Sequence, residues 1–188
     1  MTALLDVLAR RRSASAKFLV APGPDEATLG QMLKAASLAP DHGRLVPFRF
    51  IRITESSRAR LADVFVEATR QDMPDAPASE LDKAREKATQ GPCLLGLVAK
   101  IRSDLPKVPP SDQWLTVGCA LENALLALGE AGYATAIRSG GYLETPAVRA
   151  AFGLADNEHF TCLLAIGTAT DWPPAKPKPE AASLMSIW

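Results

Sequence analysis

Residues 112–131 read DQWLTVGCALENALLALGEA, the longest helical signal in the chain. Leucines recur through it at helical spacing among alanines, and Gly132 follows as the expected C-terminal stop. A helix with so little polar surface must be covered on most of its sides. In a chain of only 188 residues, a partner subunit is a natural source of that cover. We therefore interpret this segment as the core helix of a dimer.

Two continuous apolar runs flank this helix in the sequence. Residues 93–99 (CLLGLVA) and 160–166 (FTCLLAI) are typical of strands buried on both faces of a central sheet. Residues 48–53 predict a further strand, and an apolar strand ends at Ile137. Further helices are predicted around residues 4–12, 25–36, 61–68, 80–89 and 145–153. The sequence shows neither an internal repeat nor a second composition regime, which predicts one domain over residues 1–188.

The last segment, from about residue 171 to 188, is rich in proline, which forbids a regular helix or a central strand. It nevertheless ends in large apolar residues, Leu184, Met185, Ile187 and Trp188, which are costly to leave in water. We predict an extended C-terminal arm that docks on a partner.

The composition excludes several classes of protein. Basic and acidic residues both number 21, so no net charge attracts nucleic acid or an acidic membrane surface. The basic cluster near the N-terminus follows an apolar stretch, the reverse of a secretory signal. Residues 118–131 are interrupted by Glu122, Asn123 and Glu130, so they do not form a membrane span. These observations predict a soluble cytoplasmic protein that binds neither nucleic acid nor membranes.

Cysteines, histidines and nucleotide motifs narrow the chemistry further. The chain has three cysteines, an odd number, in apolar contexts: Cys93, Cys119 and Cys162. We therefore expect them to be reduced and buried. The alternative is a catalytic thiol, which needs a nearby base. With two histidines and no ligand spacing, a metal site has little support. The glycine patterns of Rossmann and P-loop proteins do not occur.

Three polar segments carry the candidate chemistry. Residues 10–15 (RRRSAS) combine guanidinium and hydroxyl groups suited to phosphate, although cations that complement a helix C-terminus are the simpler interpretation. Residues 39–50 (APDHGRLVPFRF) form a polar loop before a strand, in which an Asp–His acid–base pair competes with an ordinary exposed turn. Residues 137–142 (IRSGGY) end a strand with glycines that allow close approach of a flat ligand.

Taken in order, these segments resemble the nitroreductase family, in particular its compact branch of short chains. Residues 11–15 (RRSAS) look like the family's R-R-S-x-R motif, and residues 39–50 are similar to its P-S-x-x-N-x-Q-P-W-x-F segment. The central helix, the IRSGG turn and the closing LLAIGT strand (163–168) fall in the family's order. The resemblance implies an α+β fold with a central mixed sheet flanked by helices, an intertwined homodimer and FMN held at the subunit interface.

The resemblance also implies a set of FMN-binding residues, of which the partner subunit contributes His42, Pro47 and Phe48. The full set is Arg11, Arg12, Ser13, Ser15, His42, Pro47, Phe48, Ile137, Arg138, Ser139 and Gly140. In this set Arg138 has an electronic role, since a cation near the ring stabilises the reduced flavin. Four residues depart from the family pattern: Ser15 stands where many members have Arg, Arg44 and Val46 replace Asn and Gln, and Ala16 precedes Lys17.

In this family NADH or NADPH reduces the flavin, which then passes electrons to a flat acceptor such as a nitroaromatic or a quinone, a ping-pong mechanism without a catalytic side chain. Two other hypotheses stay open at the level of sequence. One is a flavin-binding protein without turnover, which serves storage, sensing or flavin modification. The other is a dimeric scaffold without a cofactor.

Overall fold

The structure is a computed structural model that describes residues 3–174 and 177–188. Six helices are defined in these ranges: α1 (Ala3–Arg10), α2 (Glu26–Ala36), α3 (Arg58–Asp72), α4 (Ala78–Lys87), α5 (Pro110–Glu130) and α6 (Pro146–Phe152). The strands are β1 (Leu19–Val20), β2 (Phe48–Ile53), β3 (Cys93–Lys100), β4 (Ala134–Arg138) and β5 (Glu158–Ala169). The predicted helices and strands are thereby confirmed, with boundaries that shift by a few residues.

Strand β5 is the centre of a five-stranded sheet. One of its edges pairs with β3, which pairs in turn with β2, and its other edge pairs with β4 and β1. All of these pairs are antiparallel, and the parallel contact is an isolated bridge between Ser13 and Thr135. The sheet is mixed through that bridge, which ties the basic segment after α1 to β4.

Helices cover both faces of the sheet, as the apolar strands predict. Side chains of β3 alternate between the two faces, so Leu94 packs with α3 and α6, whereas Leu95 packs with α2 and α5. Phe65 of α3 and Met32 of α2 are almost fully buried on their respective sides. The sheet therefore lies in the middle of a three-layer core.

Helix α5 is only half covered within one chain. Its buried face carries Val117, Ala120 and Ala124, whereas Leu115 and Cys119 are exposed on the opposite side. The expectation that all three cysteines are buried is wrong for Cys119, because it lies on the side of α5 that faces away from the core formed by the described residues. Cys93 and Cys162 are buried as expected, and burial raises the pKa of the Cys162 thiol to about 12.

The C-terminal segment carries one short 3-10 turn, Ala181–Leu184, and is otherwise without regular structure in the part described. Its apolar residues Leu184, Met185, Ile187 and Trp188 are all more than 70% exposed. Residues 175 and 176 of the predicted arm lie outside the described residues. Among the described helices, none is long and apolar enough to cross a membrane.

Candidate functional site

The three arginines after α1 have different partners. Arg10 Nη2 lies 3.0 Å from Glu130 Oε1, and Arg11 Nε lies 3.3 Å from Glu122 Oε1, both on α5. Arg12 forms no ion pair within residues 3–174 and 177–188; its guanidinium instead lies over the ring of Trp172, with Cζ 5.0 Å from the ring centroid. Of the three, Arg12 is therefore the cation whose charge is balanced by no carboxylate of the part of the chain that the structure describes.

These arginines line a cleft of about 350 Å³ between α1, α5 and the start of β4. Its wall also includes Thr135 and Trp172. The backbone N–H of Ala14 donates to the Thr135 carbonyl at 2.9 Å, which fixes the neighbouring Ser13 beside β4. Ser13 and Ser15 are both exposed. A guanidinium and exposed hydroxyls beside a cleft are the groups with which proteins bind phosphate.

The loop before β2 holds its two candidate residues apart. His42 Nδ1 lies 2.9 Å from Asp112 Oδ2, at the start of α5, whereas Asp41 Oδ2 accepts the backbone N–H of Val46 at 2.7 Å. Asp41 and His42 thus have different partners, so the loop offers no acid–base pair between them. Arg44 and Val46 have φ values of 53° and 46°, a strained conformation for side chains other than Gly and Asn.

Pro47 and Phe48 connect this loop to the sheet. Pro47 is buried, and its carbonyl accepts the N–H of Lys100 at 2.9 Å. Phe48 begins β2, is half-buried and packs against the α2 and α5 side of the core. Within one chain, both residues therefore act as scaffold. Because Phe48 is only half-buried, part of its surface is available to a neighbour.

The third segment lies where β4 ends. Ile137, Ser139 and Gly140 are exposed there and line or border an open cavity of about 450 Å³. Arg138 donates from Nη1 to the Lys87 carbonyl at 2.7 Å and from Nη2 to the Gln90 side chain. Arg138 thus holds the C-terminal end of α4, a partner set that the sequence did not predict.

The charges in this cavity are partly desolvated. Lys87 Nζ lies 3.9 Å from the centroid of the Tyr142 ring. Burial lowers the pKa of Lys87, with a further contribution from the Arg138 charge, and burial also lowers the pKa of Arg138. Burial raises the pKa of Tyr142 to about 12, so its phenol stays protonated at neutral pH.

Strand β4 brings the first and third segments together. Ser13 pairs with Thr135, and Arg138 lies three residues farther along the strand, about 10 Å away at 3.3 Å per residue. His42 lies elsewhere, at the Asp112 end of α5, about 15 Å along the helix axis from the Glu122 that binds Arg11. One chain therefore brings two of the three segments together on β4, and the His42 loop lies apart from them.

Sequence reasoning missed several partners of these residues. Four residues each contact a predicted site residue that is distant from them in the sequence: Trp172, Glu122, Asp112 and Lys87. Trp172 carried the one usable signal, since it is an isolated aromatic residue at the start of the proline-rich segment. The carboxylates gave no such signal, because acidic residues on a helix are ordinary surface features.

Fold and clefts together define a class: α+β proteins with helices on both faces of a five-stranded sheet and a basic cleft at one edge. The profile of the Nitroreductase family matches residues 8–168, and the chain belongs to that family. This confirms the resemblance drawn from the sequence.

Individual relatives agree with this assignment. A protein of Haemophilus influenzae named as an NAD(P)H nitroreductase is 34% identical over 167 residues, 89% of each chain. The crystal structure of a nitroreductase-like family protein from Bacillus cereus matches with a TM-score of 0.85 at 19% identity, over 100% of this chain and 97% of that one. The crystal structure of the FMN- and NADPH-dependent nitroreductase NfnB from sphigopyxis sp. strain HMH matches with a TM-score of 0.77 at 20% identity, over 100% of this chain and 99% of that one. The predicted nitroreductase-like fold is confirmed.

Proposed function

We propose that this protein is an FMN-dependent NAD(P)H oxidoreductase that reduces a flat acceptor, such as a nitroaromatic or a quinone, by a ping-pong mechanism. Family membership and the NAD(P)H nitroreductase relative support this reaction class. The observation that carries the proposal is Arg12, a cation beside a 350 Å³ cleft without a carboxylate partner among the described residues. We also retain the cytoplasmic location as a proposal.

The donors present fit the phosphate of FMN. Arg12 supplies in-plane N–H groups and Ser13 a hydroxyl, and charge-assisted hydrogen bonds of this kind are worth about 1.5–3 kcal/mol each. From there β4 leads to the exposed Ile137, Ser139 and Gly140, where a flat ring has room in the second cavity. When bound, FMN supplies the hydride and electron transfer between nicotinamide and acceptor.

The side chains around the ring position then orient ligands and set the local charge. Arg138, anchored on α4, places a fixed positive charge at the end of β4, which favours negative charge in its neighbourhood. In this proposal Arg11 and Ser15 flank the phosphate donors, and Pro47 and Phe48 support the loop of His42. We assign no side chain as a proton donor.

We propose that the working form is a homodimer. Helix α1 has no buried residue, although Leu4, Leu5 and Leu8 form an apolar stripe, and a helix of eight residues is marginal without cover. The exposed side of α5, around Leu115, is also apolar. A second copy that covers these faces is the natural occupant, and it is also the means by which a His42 loop reaches the cleft beside Arg12.

The visible spectrum tests the reaction. We expect the protein purified with excess FMN to be yellow, to bleach anaerobically with NADH or NADPH, and to regain its colour when a nitroaromatic or quinone is added. Initial rates at varied concentrations of both substrates are expected to give the parallel double-reciprocal lines of a ping-pong mechanism. A bound flavin that neither nucleotide reduces favours the flavin-binding protein without turnover, and a protein that takes up no FMN favours the scaffold.

A further inference from the structure

Trp172 and Arg12 form a contact that the proposed phosphate site does not by itself explain. Trp172 follows β5, and its indole lies within the range of a cation–π interaction with the Arg12 guanidinium, at 5.0 Å. Both residues line the same 350 Å³ cleft. The contact therefore joins the start of the C-terminal segment to the arginine that has no carboxylate partner within the described residues.

The geometry of a guanidinium makes this arrangement informative. Stacking on an aromatic ring uses the face of the guanidinium, whereas phosphate is bound by the N–H groups in its plane. Arg10 and Arg11 already direct an in-plane nitrogen to a carboxylate of α5. The Arg12 guanidinium instead lies over the Trp172 ring, and among the described residues its N–H groups form neither a hydrogen bond nor an ion pair, so they remain available to an anion in the cleft.

The sheet fixes both partners of the contact. On the Trp172 side, Leu19 of β1 pairs with Ala169, and the N–H of Thr170 donates to the Phe18 carbonyl at 3.0 Å. On the Arg12 side, Ala14 is hydrogen-bonded to Thr135 of β4. Trp172 and Arg12 are thus each two residues from a backbone hydrogen bond to the sheet or its adjoining turn, so the fold fixes the relative positions of the two backbone segments that carry them.

We propose that Trp172 is a positioning residue, which holds the Arg12 guanidinium in the orientation that binds the phosphomonoester of the flavin. The inference rests on the proposed function, because it takes FMN as the ligand of the cleft. It predicts that Trp172 affects only the binding of the phosphate group of the flavin, and that it does so only through Arg12.

A comparison of two ligands separates this role from a merely structural one. The dissociation constants of FMN and of riboflavin, which lacks the phosphate, are measured by flavin fluorescence for the wild type, W172F, W172L and W172A. We expect W172L and W172A to weaken FMN binding about 2- to 5-fold and to leave riboflavin binding unchanged, since exposed cation–π contacts are modest. W172F is expected to retain most of the affinity. Unchanged FMN binding, or equal losses for both ligands, overturns the proposal.

A double variant tests the route through Arg12. If Trp172 acts only by holding that guanidinium, W172A in the R12A background causes no further loss of FMN affinity. Additive losses overturn the proposal. A wild-type protein that binds neither flavin contradicts the proposed function itself, whereas a wild type that binds FMN and a W172A variant that binds it equally well contradict only the role of Trp172.

Discussion

Arg49 of β2 and Glu158 of β5 form a two-pronged ion pair, in which Nε lies 2.7 Å from Oε1 and Nη2 lies 2.9 Å from Oε2. Glu158 is buried, and its second oxygen also accepts the N–H of Ala155 at 3.2 Å. Because β3 lies between β2 and β5, this pair spans three strands of the sheet. It fixes the sheet at the end where the Ala155 turn leads into β5.

We expect E158Q to lower the free energy of unfolding at pH 7 by about 1–3 kcal/mol, since the half-buried guanidinium of Arg49 loses its charged partner. The hydrogen bond from Arg49 holds the pKa of Glu158 below its usual value near 4.5. A lowered carboxylate pKa gives stability that is present above the usual value and is lost as the pH falls through the lowered one. The free energies of unfolding of the wild type and E158Q, measured in urea, should therefore converge as the pH falls into the acid range.

The control for this experiment is E80Q. Glu80 also has a pKa lowered by its ion pair, with Lys83 at 2.7 Å, but the pair is exposed on α4. Exposed pairs contribute little to stability, so a much smaller effect is expected. Equal losses for E80Q and E158Q would contradict the structural role given to Glu158.

R12A is expected to raise the dissociation constant of FMN about tenfold or more, because it removes charge-assisted hydrogen bonds to the phosphate. R10A deletes the same charge two residues away, where Glu130 already balances it, and is expected to have a smaller effect. Thermal unfolding of both variants checks that the fold is retained. Flavin retention that is the same in R12A and the wild type would refute the phosphate role.

The fold was predictable from the sequence because its signals are local. The run CLLGLVA at residues 93–99 becomes β3, and the predicted start at Asp25 becomes the N-cap of α2, with its carboxylate accepting the N–H of Thr28. Caps and apolar runs depend on neighbours within a few residues. The exposure of Cys119 was not predictable, since it depends on which side of the largely apolar α5 packs against the sheet and α2.

The site was predictable in part, for the same physical reason. The segment of Arg12 was found through its composition, but its distinction from Arg10 and Arg11 depends on Glu122 and Glu130, more than a hundred residues away. The interpretation of Arg138 as a residue near the flavin overlooked its hydrogen bonds to α4. Contacts between distant segments leave no periodic pattern in a sequence.

G96A is expected to destabilise the protein by about 1–3 kcal/mol, because its added Cβ would overlap the ring of Phe160, which is almost fully buried. G30A is the matched control: a Cβ at Gly30 meets no atom within 4 Å, and the position lies within α2. There alanine is expected to stabilise the helix by about 0.5–1 kcal/mol. Chemical denaturation measures both values, and a neutral G96A would show that β3 and β5 can move apart.

Deleting residues 184–188 is expected to weaken the dimer without lowering the stability of the monomer. This segment carries four large apolar side chains that are each more than 70% exposed, and their burial on a partner is worth about 25 cal/mol per Å² before the costs of association. Sedimentation equilibrium gives the dimer dissociation constant of both forms. An identical constant would show that the arm docks elsewhere.

L115D tests the central helix as the dimer contact. Leu115 is 69% exposed on α5, so an aspartate there is well tolerated by a single chain, but it is unfavourable in an apolar interface where two copies meet. We expect L115D to shift the protein to monomer and to lower FMN affinity as well, because the His42 loop of the partner is then absent. A78D, at the exposed start of α4 on the opposite face of the sheet, is the control and is expected to stay dimeric. A monomeric L115D that binds FMN as tightly as the wild type would place the whole flavin site within one chain.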